Sequence, residues 1–283
     1  MSSSYLLTHE HVRGRLNQLP SLPSVVAELL HSIGNEDADI DKIARQIAKD
    51  QGLSARVLRV ANSSFYGLQK QVTSINDAVV VLGFRAVRSM VLAVSVSATF
   101  RVENCPGFEM QAYLRHGVAT ALAARSLASI VGQNPEFAFT AGLLHDIGQL
   151  VLAANFPTQY AEALAYRSKH DCPLIVAERD ILGLDHTVVG GLLAEAWHFP
   201  EMLRSAVVEH HHPASAEASS LADLIHLADI TAHALGLANS PDELVPVLDR
   251  TAWERLRINP EKYASTLPKI VQAMEDSCQA LTT

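Results

Sequence analysis

Apolar residues recur at helical spacing in almost every segment of this chain of 283 residues, and no stretch sustains the apolar–polar alternation of strands. "ADIDKIARQIAKDQG" places Ile40, Ile43 and Ile47 on one face and reads as a helix stopping at Gly52; "SVVAELLHSIG" reads as one stopping at Gly34. "LSARVLRVANSSFYG" turns Leu53, Val57, Val60 and Ala61 inward and ends near Asn62–Ser63, with Phe65 and Tyr66 packing locally. "SINDAVVVLGFRAVRSMVLAVSVSATF" divides into two helices near Gly83. Longer helices follow over 108–132 and 135–155, then shorter ones over 157–170, 173–182, 186–198, 200–211 and 218–237, and Pro241 and Pro260 punctuate a final pair. The expected class is all-α.

"RVENCPGFEM" is the clearest boundary in the first half, so the expected organisation is a helical N-terminal subdomain over 1–107, a helical bundle over 108–238 and a C-terminal helical appendage over 239–283. A 48% apolar content demands a large core or a buried contact, including a homodimer, and argues against disorder. A net charge of −8 disfavours a general nucleic-acid coat. Cys105, Cys172 and Cys278 form no C-x-x-C, which excludes a cysteine-built zinc ribbon and suits a reducing cytoplasm. The N-terminus lacks the plan of a signal peptide, and the run after Arg88, "SMVLAVSVSATF", is too short to span a bilayer. A cytoplasmic protein without a membrane association is expected.

The chemistry gathers in the histidines. Ten of 13 fall between His116 and His233. In "AGLLHDIGQLVLAANFP", His145 and Asp146 interrupt a run that is otherwise core, and a buried ionised carboxylate needs a compensating partner. A backbone carbonyl, a second side chain or a metal would each serve, and spacing alone leaves these open. His116 lies on the apolar face of the preceding helix, His186 opens "HTVVGGLLAEAW", and His210, His211 and His212 end a helix before Pro213. Asp229 shares a face with His226 and His233. His116, His145, Asp146, His186, His210, His211 and Asp229 would suffice for one or two divalent transition metals (iron, manganese, nickel or zinc), with Asp146 between them. Two such ions can activate water and clamp a phosphate. His9, His11, His31, His170 and His198 read as surface or satisfied core residues. Arg56, Arg59, Arg85 and Arg88 recur at i, i+3 on two helices and form either a basic patch or a solvated face. No P-loop, dinucleotide fingerprint or serine nucleophile elbow is present.

These residues resemble the HD superfamily of metal-dependent phosphohydrolases and, more specifically, its HDOD family of bacterial signalling output domains. The motifs stand in order: "LPSLPSVV" (19–26), "IAKDQGLSARVLRVANSSFYG" (47–67), "INDAVVVLGFRAVRSMVL" (75–92), "AGLLHDIGQLVL" (141–152), "ERDILGLDHTVVGGLLAEAWHFP" (178–200) and "LADLIHLADI" (221–230). The resemblance implies a helical N-terminal part packed on an HD-like bundle and a role in signal transduction through protein partners. It matches His116, the His145–Asp146 pair and Asp229 to the superfamily's ligand pattern, and His186, His210 and His211 to the extra histidines of HD-GYP phosphodiesterases. Two departures count against catalysis. The Gly-Tyr-Pro signature is absent, which disfavours cyclic-di-GMP hydrolysis, and Gln149 stands where a phosphate-contacting lysine is common. The expectations are therefore a regulatory, partner-binding protein with a metal site or, alternatively, an active phosphohydrolase on a phosphoester or nucleotide, with His145 and Asp146 catalytic. A sensor gated by metal occupancy is a third.

Overall fold

The computed structural model describes residues 6–19, 24–32, 40–62, 68, 70–100, 102–213, 220–239 and 243–281, and these are helical with no strand among them. The N-terminal half comprises α1 (His9–Leu16), α2 (Ser24–His31), α3 (Ile40–Lys49), α4 (Gln51–Ala61), α5 (Ile75–Leu82) and α6 (Phe84–Thr99). The bundle that follows is α7 (Met110–Val131), α8 (Pro135–Leu144), α9 (Ile147–Asn155), α10 (Pro157–His170), α11 (Leu174–Leu182), α12 (His186–Ala196), α13 (Glu201–Glu209) and α14 (Ser220–Ala234). The chain ends in α15 (Arg250–Leu256) and α16 (Pro260–Leu281).

Local chemistry sets most boundaries. Ser74 caps α5 by accepting from the Asp77 amide, and Gly83, at φ 86°, separates α5 from α6 at the expected place. Asn134 accepts from the Glu136 and Phe137 amides ahead of Pro135, fixing the start of α8. Gly52 does not stop a helix as its position suggested: α3 ends at Lys49, and Asp50 caps α4, accepting from Leu53 N, so that Gly52 lies in the first turn of α4. The cap wins because the Asp50 side chain satisfies an otherwise orphaned amide. Gly34, Ser63, Phe65, Tyr66 and Pro241 lie outside the described residues, as does the side chain of His31.

α7 is the central strut, packed by α8, α14 and α16. α6 joins the halves by packing on α8, where Ser89 Oγ lies 2.7 Å from Thr140 Oγ1. Arg88 departs from the expected exposed arginine face. It is 4% exposed, donates to the Ser32 carbonyl at 3.0 Å, and lies over the Phe84 and Phe137 rings. Burial pushes its pKa down to about 10. Arg56, Arg59 and Arg85 are exposed. The C-terminal helix α16 lies along α7, burying Ile270 and Met274 in the common core.

The expected helix over 135–155 is two helices, broken at His145–Asp146. Among the described residues this stretch, rather than the run after Arg88, is the one apolar and long enough by composition to cross a bilayer, and it is mostly buried inside the fold. It is core because α7 and α14 pack on α8, and α12 packs on α9.

Two glycines set how closely these helices approach. A Cβ on Gly142 would stand 2.8 Å from Ala121 Cα on α7, and one on Gly148 would collide with the His186 carbonyl and lie 2.8 Å from Gly190 N on α12. Both obstacles are backbone, so neither can swing aside. Gly148→Ala should therefore cost at least about 1–3 kcal/mol of stability through overpacking. Denaturant unfolding of the pure variant checks this, and an unchanged midpoint would refute the close α9–α12 contact.

Candidate metal centre

The break between α8 and α9 is where the centre is built. Asp146 occupies the N-cap position of α9 yet makes no side-chain cap, leaving both carboxylate oxygens directed elsewhere. Asp185, at the same position of α12, behaves in the ordinary way: its Oδ1 accepts from the Thr187 and Val188 amides, and its Oδ2 from Arg179 Nε at 2.7 Å. The Asp146 carboxylate faces histidines instead, with one hydrogen bond accepted by Oδ2 from Gln149. Oδ1 lies 3.2 Å from His186 Nε2 and 3.4 Å from His210 Nε2. Oδ2 lies 3.4 Å from His145 Nε2 and 3.6 Å from His116 Nε2.

All seven residues singled out from the sequence meet here. On one side of Asp146, His116 Nε2 is 3.0 Å from Asp229 Oδ1 and 3.2 Å from His145 Nε2. On the other, His211 Nε2 is 3.1 Å from His186 Nε2. Two donor sets share the carboxylate, with donor atoms close enough to enclose an ion: His116, His145 and Asp146, with Asp229 alongside, and Asp146, His186, His210 and His211.

The imidazoles are oriented from behind. His145 Nδ1 lies 2.6 Å from the Gly142 carbonyl, His210 Nδ1 2.9 Å from the Val207 carbonyl, and His186 Nδ1 2.6 Å from Glu178 Oε2. Each neighbour can only accept, so Nδ1 donates in all three and Nε2 is turned to the centre. That arrangement is the usual one for metal-binding histidines. Glu178, fully buried on α11, also accepts from the His186 amide. Buried Asp146 Oδ1, His210 Nε2 and both oxygens of Asp229 make no hydrogen bond among the described residues. Such orphaned buried atoms are costly, and they fall within the donor groups on the two sides of Asp146, Oδ1 with His210 in one and Asp229 beside the other, where a cation would satisfy them. The residues fit a divalent transition metal.

Glu178 was missed from the sequence, although it opens the motif containing His186. His233, Glu243 and Thr120 were also missed as members of the site. Thr120 Oγ1 lies 3.5 Å from His116 Nε2. His233 Nε2 is 3.4 Å from Asp229 Oδ1, and its Nδ1 is 3.3 Å from Glu243 Oε1. His226, on the same helix face, is used structurally: it donates to the His210 carbonyl and accepts from the Asp249 amide. His9, His11, His170 and His198 are exposed, consistent with a surface role. Gln149 donates to Asp146 Oδ2 at 2.7 Å, so the side chain at the common lysine position contacts the bridging carboxylate.

A cleft of about 1020 Å³ opens over the cluster. His116, Asp146, His186, His211, Asp229 and His233 reach it; Phe108, Tyr113, Leu164, Val176 and Val245 line its walls, with Arg167 and Arg179. Reactive centres keep an open face, whereas structural metal sites are closed.

Without a cation, protons do its work. Burial opposes charge on His145 and His186, but Asp146 with Asp229, and Glu178 with Asp146, outweigh it and hold them up at about 10 and about 9. Burial and the neighbouring imidazoles push His210 and His211 down. Asp146 and Asp229 sit well below the usual carboxylate range: burial would raise them, but the surrounding histidines win. The two raised imidazoles contribute stability below the unfolded pKa of about 6.5 that is lost as pH rises through 9–10. The two lowered ones contribute stability above about 6.5 that is lost as pH falls. Metal-free protein should thus melt highest near pH 6–7, and excess Mn²⁺ should move that optimum upward, because an ion displaces protons from its ligands. A chelated sample whose melting temperature keeps climbing from pH 6.5 to 9 would contradict this protonation pattern.

Comparison with known proteins agrees with the architecture. The HDOD domain family model matches residues 19–213. An HDOD domain protein of unknown function from Geobacter sulfurreducens superposes with a TM-score of 0.83 at 22% identity, covering 95% of this chain and 96% of that one. A protein from Shewanella amazonensis SB2B, provisionally described as a phosphohydrolase, is 32% identical with a TM-score of 0.74, covering 95% and 97%. An uncharacterised protein of Treponema pallidum (strain Nichols) is 25% identical over 266 residues; the match covers 93% of this chain and half the length of that relative.

Proposed function

The chain belongs to the HDOD domain family, and from that premise we propose that it is a metal-dependent phosphohydrolase whose two-ion centre acts on a phosphoester held in the cleft. One observation carries this reading: Asp146 offers one oxygen to each of two histidine sets on the floor of an open cleft. His116, His145, Asp146 and Asp229 would hold one ion, and Asp146, His186, His210 and His211 the other. The pair would supply Lewis acidity toward a phosphoryl oxygen and lower the pKa of water. The similarity to the Shewanella amazonensis protein supports the same class.

The chain's own residues do the rest. Glu178 and the Gly142 and Val207 carbonyls hold three imidazoles in register, so little reorganisation is needed on binding. Arg167 and Arg179 line the cleft wall, Arg179 in an ion pair with Asp185, and bring guanidinium groups near the site of an anionic substrate. Tyr113, Leu164 and Val176 form an apolar wall that reduces water around the reacting group.

Gln149 favours a second reading. A neutral amide in contact with the bridging carboxylate adds no charge against a phosphate, which suits a regulatory module that binds metal and a protein partner without turnover. Tag-free protein, stripped and reloaded with Mn²⁺ or Fe²⁺, is assayed for bound metal and for hydrolysis of phosphomonoesters, phosphodiesters and nucleotides. About two ions per chain and metal-dependent turnover are expected, falling by at least about 100-fold in Asp146→Asn with the fold intact. Stoichiometric metal with no turnover on any phosphoester would overturn the hydrolase in favour of the regulatory module.

A further inference from the structure

One histidine at the centre has no counterpart among the two donor sets. His233 follows Asp229 by one helical turn on α14 and lines the cleft. Its Nε2 stands 3.4 Å from Asp229 Oδ1, and its ring centroid is 4.5 Å from that of His116 at 34°. Donor atoms of His116, Asp229 and His233 all lie within 4.8 Å of one another. Asp229 is 1% exposed, yet neither of its oxygens is hydrogen-bonded among the described residues. His226, one turn earlier on the same face, is fully occupied by the His210 carbonyl and the Asp249 amide, so it cannot serve Asp229.

Behind His233, Glu243 Oε1 lies 3.3 Å from Nδ1. The contact is an ion pair and not a hydrogen bond like that of His186 with Glu178 at 2.6 Å. Both atoms are buried with no hydrogen-bond partner among the described residues, and a carboxylate beside the far nitrogen favours Nε2 turned inward as the donor. Among the described residues, Glu178 and Glu243 are the carboxylates in ion-pair contact with the outward nitrogens of these cleft histidines, at 2.6 and 3.3 Å.

We propose that His233 is a further ligand of the divalent transition metal that His116 and Asp229 would hold, and that Glu243 is its positioning residue. This rests on the metal centre proposed above and adds to it. Glu243 lies among residues 243–249, which line one side of the cleft. An ion bound through His233 would strengthen the ion pair with Glu243 and so couple that side to the floor of the cleft.

The test uses the full, tag-free chain titrated with Mn²⁺ alone, read by the paramagnetic resonance of free and bound ion. In His210→Ala/His211→Ala protein, bound Mn²⁺ reports the His116 end by itself. Adding His233→Ala there should weaken binding at least about tenfold and remove one imidazole-nitrogen coupling from the bound-ion spectrum. Glu243→Ala should weaken binding about 10–100-fold without removing a coupling, with Glu243→Gln recovering part of the loss. Metal-free melting curves confirm that each variant is folded, and if His233→Ala is not, His233→Gln and the Glu243 pair carry the comparison. Unchanged affinity and an unchanged nitrogen coupling in the folded His233 variant overturn the proposal while leaving the two-ion centre standing. Failure of the unmodified chain to bind Mn²⁺ overturns both.

Discussion

The Asp146 carboxylate is the contact on which the rest of the site turns. It is buried, ionised and placed at a helix start, where it would normally cap the backbone. Instead its two oxygens face opposite ways, toward His186 and His210 on one side and His116 and His145 on the other. Desolvating a carboxylate costs several kcal/mol unless charge is brought to it. The histidines supply that charge by holding protons, as the raised His145 and His186 and the depressed Asp146 and Asp229 record.

Holding such a centre requires helices closer than ordinary side chains permit. Gly142 lets α8 press on α7, bringing the His145 turn toward His116, and Gly148 lets α9 press on α12 at His186 itself. The surrounding core is small and apolar: Ala119, Ala123 and Ala124 on α7, and Ala228 and Ala232 on α14, are fully buried. This close packing turns pairs of residues distant in the chain, such as His116 and Asp229, into neighbours at 3.0 Å. It also explains the helix break. A continuous helix through 145 and 146 would commit both to regular positions along one rod, whereas the turn lets the carboxylate face α7 and α12 together.

Much of the site was legible because its residues are chemically conspicuous. An Asp beside a His in an apolar run cannot be an ordinary core pair, and the other imidazoles stood out by position on helix faces and ends. The supporting residues were less visible. Glu178 looks like any helix-surface glutamate until α11 and the start of α12 fold it inward. His226 and His233 share a face with Asp229 in equal measure, yet one is consumed by backbone groups and the other turned to the centre. Periodicity cannot separate them, because the difference lies in what packs opposite each ring. Arg88 was misplaced for the same reason: its i, i+3 partner Arg85 is exposed, while the contact of α6 with α8 buries Arg88 itself.

Local pattern alone determines that this chain is helical, roughly where its helices lie, and which side chains are capable of ligation, since these depend on residue types a few positions apart. Tertiary structure decided the rest: the break at His145–Asp146, the division of one carboxylate between two histidine sets, the glutamates behind His186 and His233, and the cleft above them. Each of these depends on groups brought together from distant parts of the chain, His116 and Asp229 being more than a hundred residues apart. The energy that selects them is the desolvation of buried charge, which arises only once the helices have packed.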